Sequence, residues 1–137
     1  MAQVAATLLP DLSAPGQLTA ARKTVAGYVY DASVVAVWAG RPIAPAAGAA
    51  DAFCEVLLVD GSTVRVNAVA GTLAATLTGL IAISDASGRL FWVKPAHCLR
   101  VEPVVGLDGA AWSVVHLRGL QLTAKEDTAT LIGRLNA

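Results

Sequence analysis

Charge is the scarcest commodity in this sequence. Only 15% of its 137 residues are Asp, Glu, Lys or Arg, where an average soluble domain carries about 25%. Ten basic and ten acidic residues cancel to a formal charge of zero, which excludes a general phosphate-neutralising nucleic-acid binder and a polybasic membrane-surface protein. Cysteine is almost absent: Cys54 and Cys98 stand alone, and in a cytosolic chain such thiols read as small buried hydrophobes rather than as a bridge. Long apolar runs are also missing. The nearest approach, residues 68–83, contains Gly71, Gly79 and three threonines, and it falls short of the roughly 20 apolar residues a membrane span needs. Residues 1–16 hold no basic residue, and Leu8-Leu9 is stopped at once by Pro10 and Asp11. With no leader of the secretory kind, a chain made in the bacterial cytoplasm is expected, reaching a virion only if phage-encoded. Finally, no G-x-x-x-x-G-K-[ST], G-x-G-x-x-G or G-x-S-x-G occurs, so nucleotide-binding and hydrolase readings lack their main cue.

Alanine and turn residues fill the gap. The chain has 28 alanines, so its mean hydropathy of +0.61 overstates the large apolar side chain to be hidden. The length is that of one ordinary domain and suffices for a core without disulfides or metals. Residues 1–21, with Pro10, Pro15 and Gly16, read as an N-terminal arm, leaving residues 22–137 as a single compact domain. From Thr24 the hydrophobic period becomes two, and Asp31-Ala32-Ser33 predicts a hairpin turn into Val34–Trp38. Residues 40–50 form a Pro/Ala/Gly loop. Asp60-Gly61 between two alternating runs is the strongest hairpin signal, with both turn positions expected at positive φ. A short helix is predicted over 68–77, then a second hairpin about Asp85-Ala86-Ser87-Gly88, a single turn at 95–98, and strands over 99–104, 111–118 and 120–122. A final helix follows a capping box of Thr123 and Glu126, with Leu131, Ile132 and Leu135 on one face.

These elements repeat. Asp-Ala-Ser occurs at 31–33 and 85–87, each followed by a Trp-containing strand (Trp38, Trp92), an aromatic-led strand and a helix ending in Thr-Leu-x-x-x-Leu. The expectation is an internal duplication with halves 22–77 and 78–137. The fold class is therefore mainly β (α+β): a small barrel or sandwich of hairpins with one or two short helices.

The run Gly88-Arg89-Leu90-Phe91-Trp92-Val93-Lys94-Pro95, then Leu99-Arg100-Val101-Glu102-Pro103, then Ser113–Leu117 and a capped helix, resembles small bacterial proteins of the FlbD-like flagellar type. The resemblance spans the second half and implies a small β-rich interaction fold. It carries over no catalytic residue, and Lys94 stands where that family usually has Asn.

Candidate chemistry is sparse. The soft metal ligands His97, Cys98, His116 and Cys54 lack the closely spaced pairs of a zinc site, and no orienting group or oxyanion hole marks Cys98 and His116 as a nucleophile pair. No carboxylate pair shares a strand face. No metal, cofactor or catalytic residue is expected. Arg89, Lys94 and Arg100, interleaved with Phe91 and Trp92, form a basic-aromatic stretch able in principle to hold single-stranded nucleic acid, yet strand alternation splits its aromatics between two faces. The preferred expectation is a non-enzymatic structural protein of a larger assembly, self-associating or contacting other subunits, most concretely a bacteriophage capsid decoration or head-tail connector protein. Trp38, Trp92 and Trp112, with Arg89, Lys94 and Arg100, are its candidate interface residues. The alternative is a small regulatory adaptor that binds a protein or nucleic-acid partner through Arg89 to Arg100. Nucleic acid is the less favoured partner, and no membrane is expected.

Overall fold

The computed structural model describes residues 3–8, 25–40 and 53–137. The described residues are mainly β and form ten strands and two helices: β1 (Gln3–Leu8), β2 (Val25–Tyr30), β3 (Val34–Ala39), β4 (Cys54–Leu58), β5 (Thr63–Val66), α1 (Ala70–Thr76), β6 (Ile81–Ser84), β7 (Leu90–Val93), β8 (Cys98–Val105), β9 (Ala111–Leu117), β10 (Leu120–Ala124) and α2 (Thr128–Leu135). Two antiparallel sheets result, ordered β2-β1-β5-β4-β3-β7-β6 and β10-β9-β8. The arrangement is sandwich-like, with no closed barrel among the described residues.

Glycine sets three of the hairpins in one way. At Leu58–Gly61, Asp85–Gly88 and Gly106–Gly109 the glycine N–H donates to the first residue's carbonyl, and that first residue's N–H bonds the carbonyl just beyond the glycine. Gly61, Gly88 and Gly109 hold φ of 87°, 91° and 81°, so each loop is a type I turn closed by a glycine bulge. The expectation of positive φ at both Asp60 and Gly61 is corrected, since among the described residues no non-glycine residue, Asp60 included, has it. Asp60 instead accepts the Ser62 N–H on Oδ1 at 2.9 Å, as Asp85 does from Ser87 and Asp108 from Ala110.

Three further expectations change. Residues 3–8, assigned from sequence to the arm, form β1, which pairs with β2 along its length and reaches β5 through Leu8 and Val66; the rest of the arm and the 41–50 loop lie outside the described residues. β2 and β3 are not a hairpin, because Asp31–Ser33 forms a 3₁₀ turn that sends the chain on to pair with β4 and β7. Asp127 caps α2 in place of a Thr123/Glu126 box, its Oδ1 accepting the Thr130 N–H at 2.8 Å, while Thr123 lies within β10.

The repeat is visible in the backbone, in a different alignment from the Asp-Ala-Ser pairing. Each unit runs hairpin, 3₁₀ turn, three-stranded meander, helix: β1 to α1, then β6 to α2. Asp31–Ser33 matches Pro95–His97, whereas Asp85–Ser87 is a hairpin loop. Both 3₁₀ turns lead into a strand with an irregularity in its first turn, at Val34/Ala36 and Cys98/Arg100. The last carbonyl of each turn, Ser33 and His97, accepts an N–H from just beyond the middle strand, Val59 and Arg118. Gly40 lies against the Phe53 ring and Gly106 against the Trp112 ring, each so closely that a Cβ would enter the ring. The Arg65 guanidinium lies over the Phe53 ring, 4.6 Å from its centre, and Lys125 Nζ lies over Trp112 at 5.5 Å.

Strand order repeats too. The first unit is β2-β1-β5-β4-β3; the second is β7-β6, then an isolated bridge from Asp85 to Ala124, then β10-β9-β8. Each unit closes on its own core under its own helix. Val29, Val37, Val56, Val66 and Leu73 fill the first, and Val93, Val115, Leu122, Ala124 and Leu131 fill the second. Burial at roughly 25 cal/mol per Å² of apolar surface is what holds each unit together.

Candidate functional site

The units meet edge to edge, where β3 of the first pairs antiparallel with β7 of the second: Ala36 opposite Val93, Val37 opposite Trp92, Trp38 opposite Phe91. Side-chain alternation, interrupted by the bulge at Val34/Ala36 that leaves Val35 and Ala36 on one face, then decides which core each residue joins. Val35, Ala36 and Leu57 leave the first unit's core and enter the second's, while Trp92 and Leu80 pack against the first. The Trp38 and Phe91 rings lie 5.5 Å apart, within the range of a favourable aromatic pair. The Trp38 indole N–H donates to Glu55 Oε2 at 2.7 Å, and Arg89 lies over Phe91 at 5.2 Å.

A buried ion pair seals one end of this junction. Lys94 Nζ donates to the Asp31 carbonyl at 2.5 Å and to Asp31 Oδ1 at 2.6 Å, while the Thr78 N–H donates to the same carboxylate at 3.1 Å. Burial raises the Asp31 pKa, but the hydrogen bonds from Lys94 and Thr78 and the lysine's charge outweigh it, holding the carboxyl below its ordinary range. Lys94 Nζ is thus buried and held on Asp31 through two contacts.

Two grooves flank the junction. One, of about 310 Å³, lies between the start of α1 and β7, lined by Val69, Gly71, Arg89, Leu90 and Trp92. The other, of about 600 Å³, opens over Asp31 and Lys94 and is walled by Thr78, Pro95, His97 and Leu135. Neither gathers a reacting set. Burial, helped by the Glu55 charge, pushes the Cys54 thiol up to about 11, and burial raises Cys98 as well, so both favour the unreactive protonated form. Among the described residues no three of His, Cys, Asp and Glu converge on a point.

The six residues singled out from sequence are thereby distributed. Trp38, Trp92, Arg89 and Lys94 come together, at the junction inside the chain. Lys94 is buried, so the Arg89 to Arg100 stretch does not form one basic surface. Trp112 is the buried ring between Gly106 and Lys125. Arg100 lies apart on β8, exposed and paired at 2.7 Å with Glu102, whose carboxyl it holds below the ordinary range. Sequence reasoning missed Asp31, Glu55 and Phe91 as partners of these residues. One signal was legible: a lysine between Val93 and Pro95 at the end of an apolar strand needs a buried counter-charge.

The outer edge of β8 carries no strand among the described residues. On it, Leu99 is 64% exposed, and Val105 at the end of the strand is still more so, as is Leu107 in the following turn. Behind Arg100 and Glu102 lies His116 of β9, with Nε2 buried, lacking a hydrogen-bond partner and 3.4 Å from Glu102 Oε2. No helix among the described residues is long and apolar enough to cross a membrane. No family model, curated protein or solved structure matches the chain.

Proposed function

We propose that this chain is a non-enzymatic structural protein that acts as one subunit of a larger assembly, in the specific setting of a bacteriophage virion, as a capsid decoration or head-tail connector component. The observation that carries the reading is the free β8 edge with Leu99, Val105 and Leu107 exposed along it, on a chain with only 15% charged residues. Interfaces are depleted in charge at their centres, and an open strand edge is a ready template for another chain. The phage setting rests on composition and on the small repeated β design. The test is native mass by light scattering over a hundredfold concentration range, with electron microscopy of the products. Discrete oligomers or regular polymers are expected. A monomer throughout that also decorates no virion particle would overturn the reading.

A further inference from the structure

The intrachain junction is itself a template for the contact between chains. β3 ends the strand order of the first unit and β7 begins that of the second, so the units join head to tail. The two positions left over are the counterparts of that pair: β8 is the second unit's β3, and β2 is the first unit's β7. Neither bears a strand on its outer side among the described residues. Resting on the assembly reading above, we infer that copies of this chain join head to tail, with β8 of one copy pairing antiparallel to β2 of the next as β3 pairs with β7.

The register follows from the matched 3₁₀ turns. Tyr30 and Lys94 are the residues just before the two turns, and Val34 and Cys98 the residues just after. Ala36 opposite Val93 therefore becomes Arg100 opposite Val29, Val37 opposite Trp92 becomes Val101 opposite Tyr28, and Trp38 opposite Phe91 becomes Glu102 opposite Gly27. Tyr28 is 66% exposed and occupies the place of Trp92.

Backbone polarity fits. The Gly106 N–H donates to the Ala110 carbonyl, and strand alternation then points the N–H groups of residues 104, 102 and 100 at β9 and those of 105 and 101 away from it. Pro103, which has no N–H, occupies one of the outward positions, the only place in a ladder where it costs no bond to β9. It also lies one residue beyond Glu102, just as Ala39 lies one residue beyond the last β3–β7 pair. The proline thus ends the pairing where the template ends it.

Side chains set the strength. Where β3 presents Val35, Ala36 and Trp38, with Leu57 behind, β8 presents Leu99, Arg100 and Glu102, with His116 behind. The contact between copies is polar where the one within the chain is apolar, which makes it reversible and salt-sensitive. Being heterologous, it propagates to a ring if the rotation closes and to a filament otherwise.

Disulfide trapping in the full-length chain tests this, in a Cys98→Ser background with circular dichroism confirming the fold. Tyr28→Cys and Val101→Cys are made separately and mixed under mild oxidation. We expect a dimer carrying the 28–101 disulfide in the mixture and a ladder of covalent multimers from the double variant. Val101→Pro removes an outward N–H together with the packing of Val101 on the second core; with circular dichroism confirming that the monomer keeps its fold, it should abolish the multimers, and multimers that persist in the folded variant would overturn the inference. Val101→Cys dimerising equally well with itself would replace the head-to-tail contact by a symmetric one and overturn the inference. Oligomers by light scattering without the 28–101 disulfide would overturn it while leaving the assembly reading standing. A monomer at every concentration would overturn it and confine the assembly reading to a different partner.

Discussion

β3 and β8 hold the same place in two units of one design, and they differ in what their outer faces carry. β3 offers Val35, Ala36 and Trp38 to a neighbouring unit and is covered by it. β8 offers Leu99, Arg100 and Glu102 and bears no further strand among the described residues. The backbone is common to both, down to the bulge after the 3₁₀ turn. A sheet edge is therefore permissive, and the side chains beside it decide whether a contact becomes permanent core or an adjustable surface. In physical terms the difference is desolvation: the junction hides its one ion pair, Lys94 and Asp31, whereas Arg100 and Glu102 stay in water.

The sharpest way to break that comparison is at the buried pair. Lys94→Ala leaves Asp31 without its counter-charge and should destabilise the fold by about 3–5 kcal/mol in urea titrations, while Arg100→Ala should cost under about 1 kcal/mol. A near-equal pair of values would sink the claim that the two edges differ in kind. Next come the helix anchors. Leu131→Ala and Leu73→Ala should each cost about 2–5 kcal/mol, and if each unit has its own core the two losses should add to within about 0.5 kcal/mol; strong coupling between them would argue for one continuous core. Gly106→Ala drives a methyl into the Trp112 ring and should cost about 1–3 kcal/mol by overpacking, read as a lower thermal midpoint. Asp127→Ala removes the cap of α2 and should lower the thermal midpoint by less than any of these core substitutions.

Acid should separate the edges as well. The Asp31 carboxyl titrates below its ordinary value of 3.8 in the fold, so its share of stability is fully present above that value and is lost as the pH falls through the lower folded one. Replacing the pair together, with Asp31→Asn and Lys94→Met, should flatten this part of the stability profile. An unchanged acid limb would place the dominant titration elsewhere.

Much of the architecture was legible because it is local. Asp60-Gly61 and Asp85 to Gly88 announce their hairpins through the one residue type that takes positive φ freely. β1 was hidden because Pro10, Pro15 and Gly16 dominate its neighbourhood, and because the partner that makes Gln3–Leu8 a strand is remote in sequence. The hairpin expected between β2 and β3 failed for the complementary reason: Asp31 forgoes a tight turn and meets Lys94 across the junction. The same non-locality hid the site. Nothing near Trp38 in sequence names Phe91, and nothing near Arg100 marks β8 as the unfilled counterpart of β3. The repeat was detectable through its aromatic-led strands and its Thr-Leu-x-x-x-Leu helices, but Asp-Ala-Ser misaligned its beginning, since three identical residues adopt a 3₁₀ turn in one place and a hairpin loop in the other.

The head-to-tail junction also bears on how the chain comes to be folded. The glycine-closed hairpins involve neighbours in sequence and can form in about 1–10 μs, whereas Ala36 and Val93 are far apart in sequence and meet only when the intervening chain has been drawn closed. Docking of β7 on β3 is thus the late, high-contact-order step. Until it occurs, β3 is as open as β8, and a β6–β7 hairpin from another molecule fits it equally well. Exchange of that hairpin between nascent chains is the misassembly to which this design is most exposed.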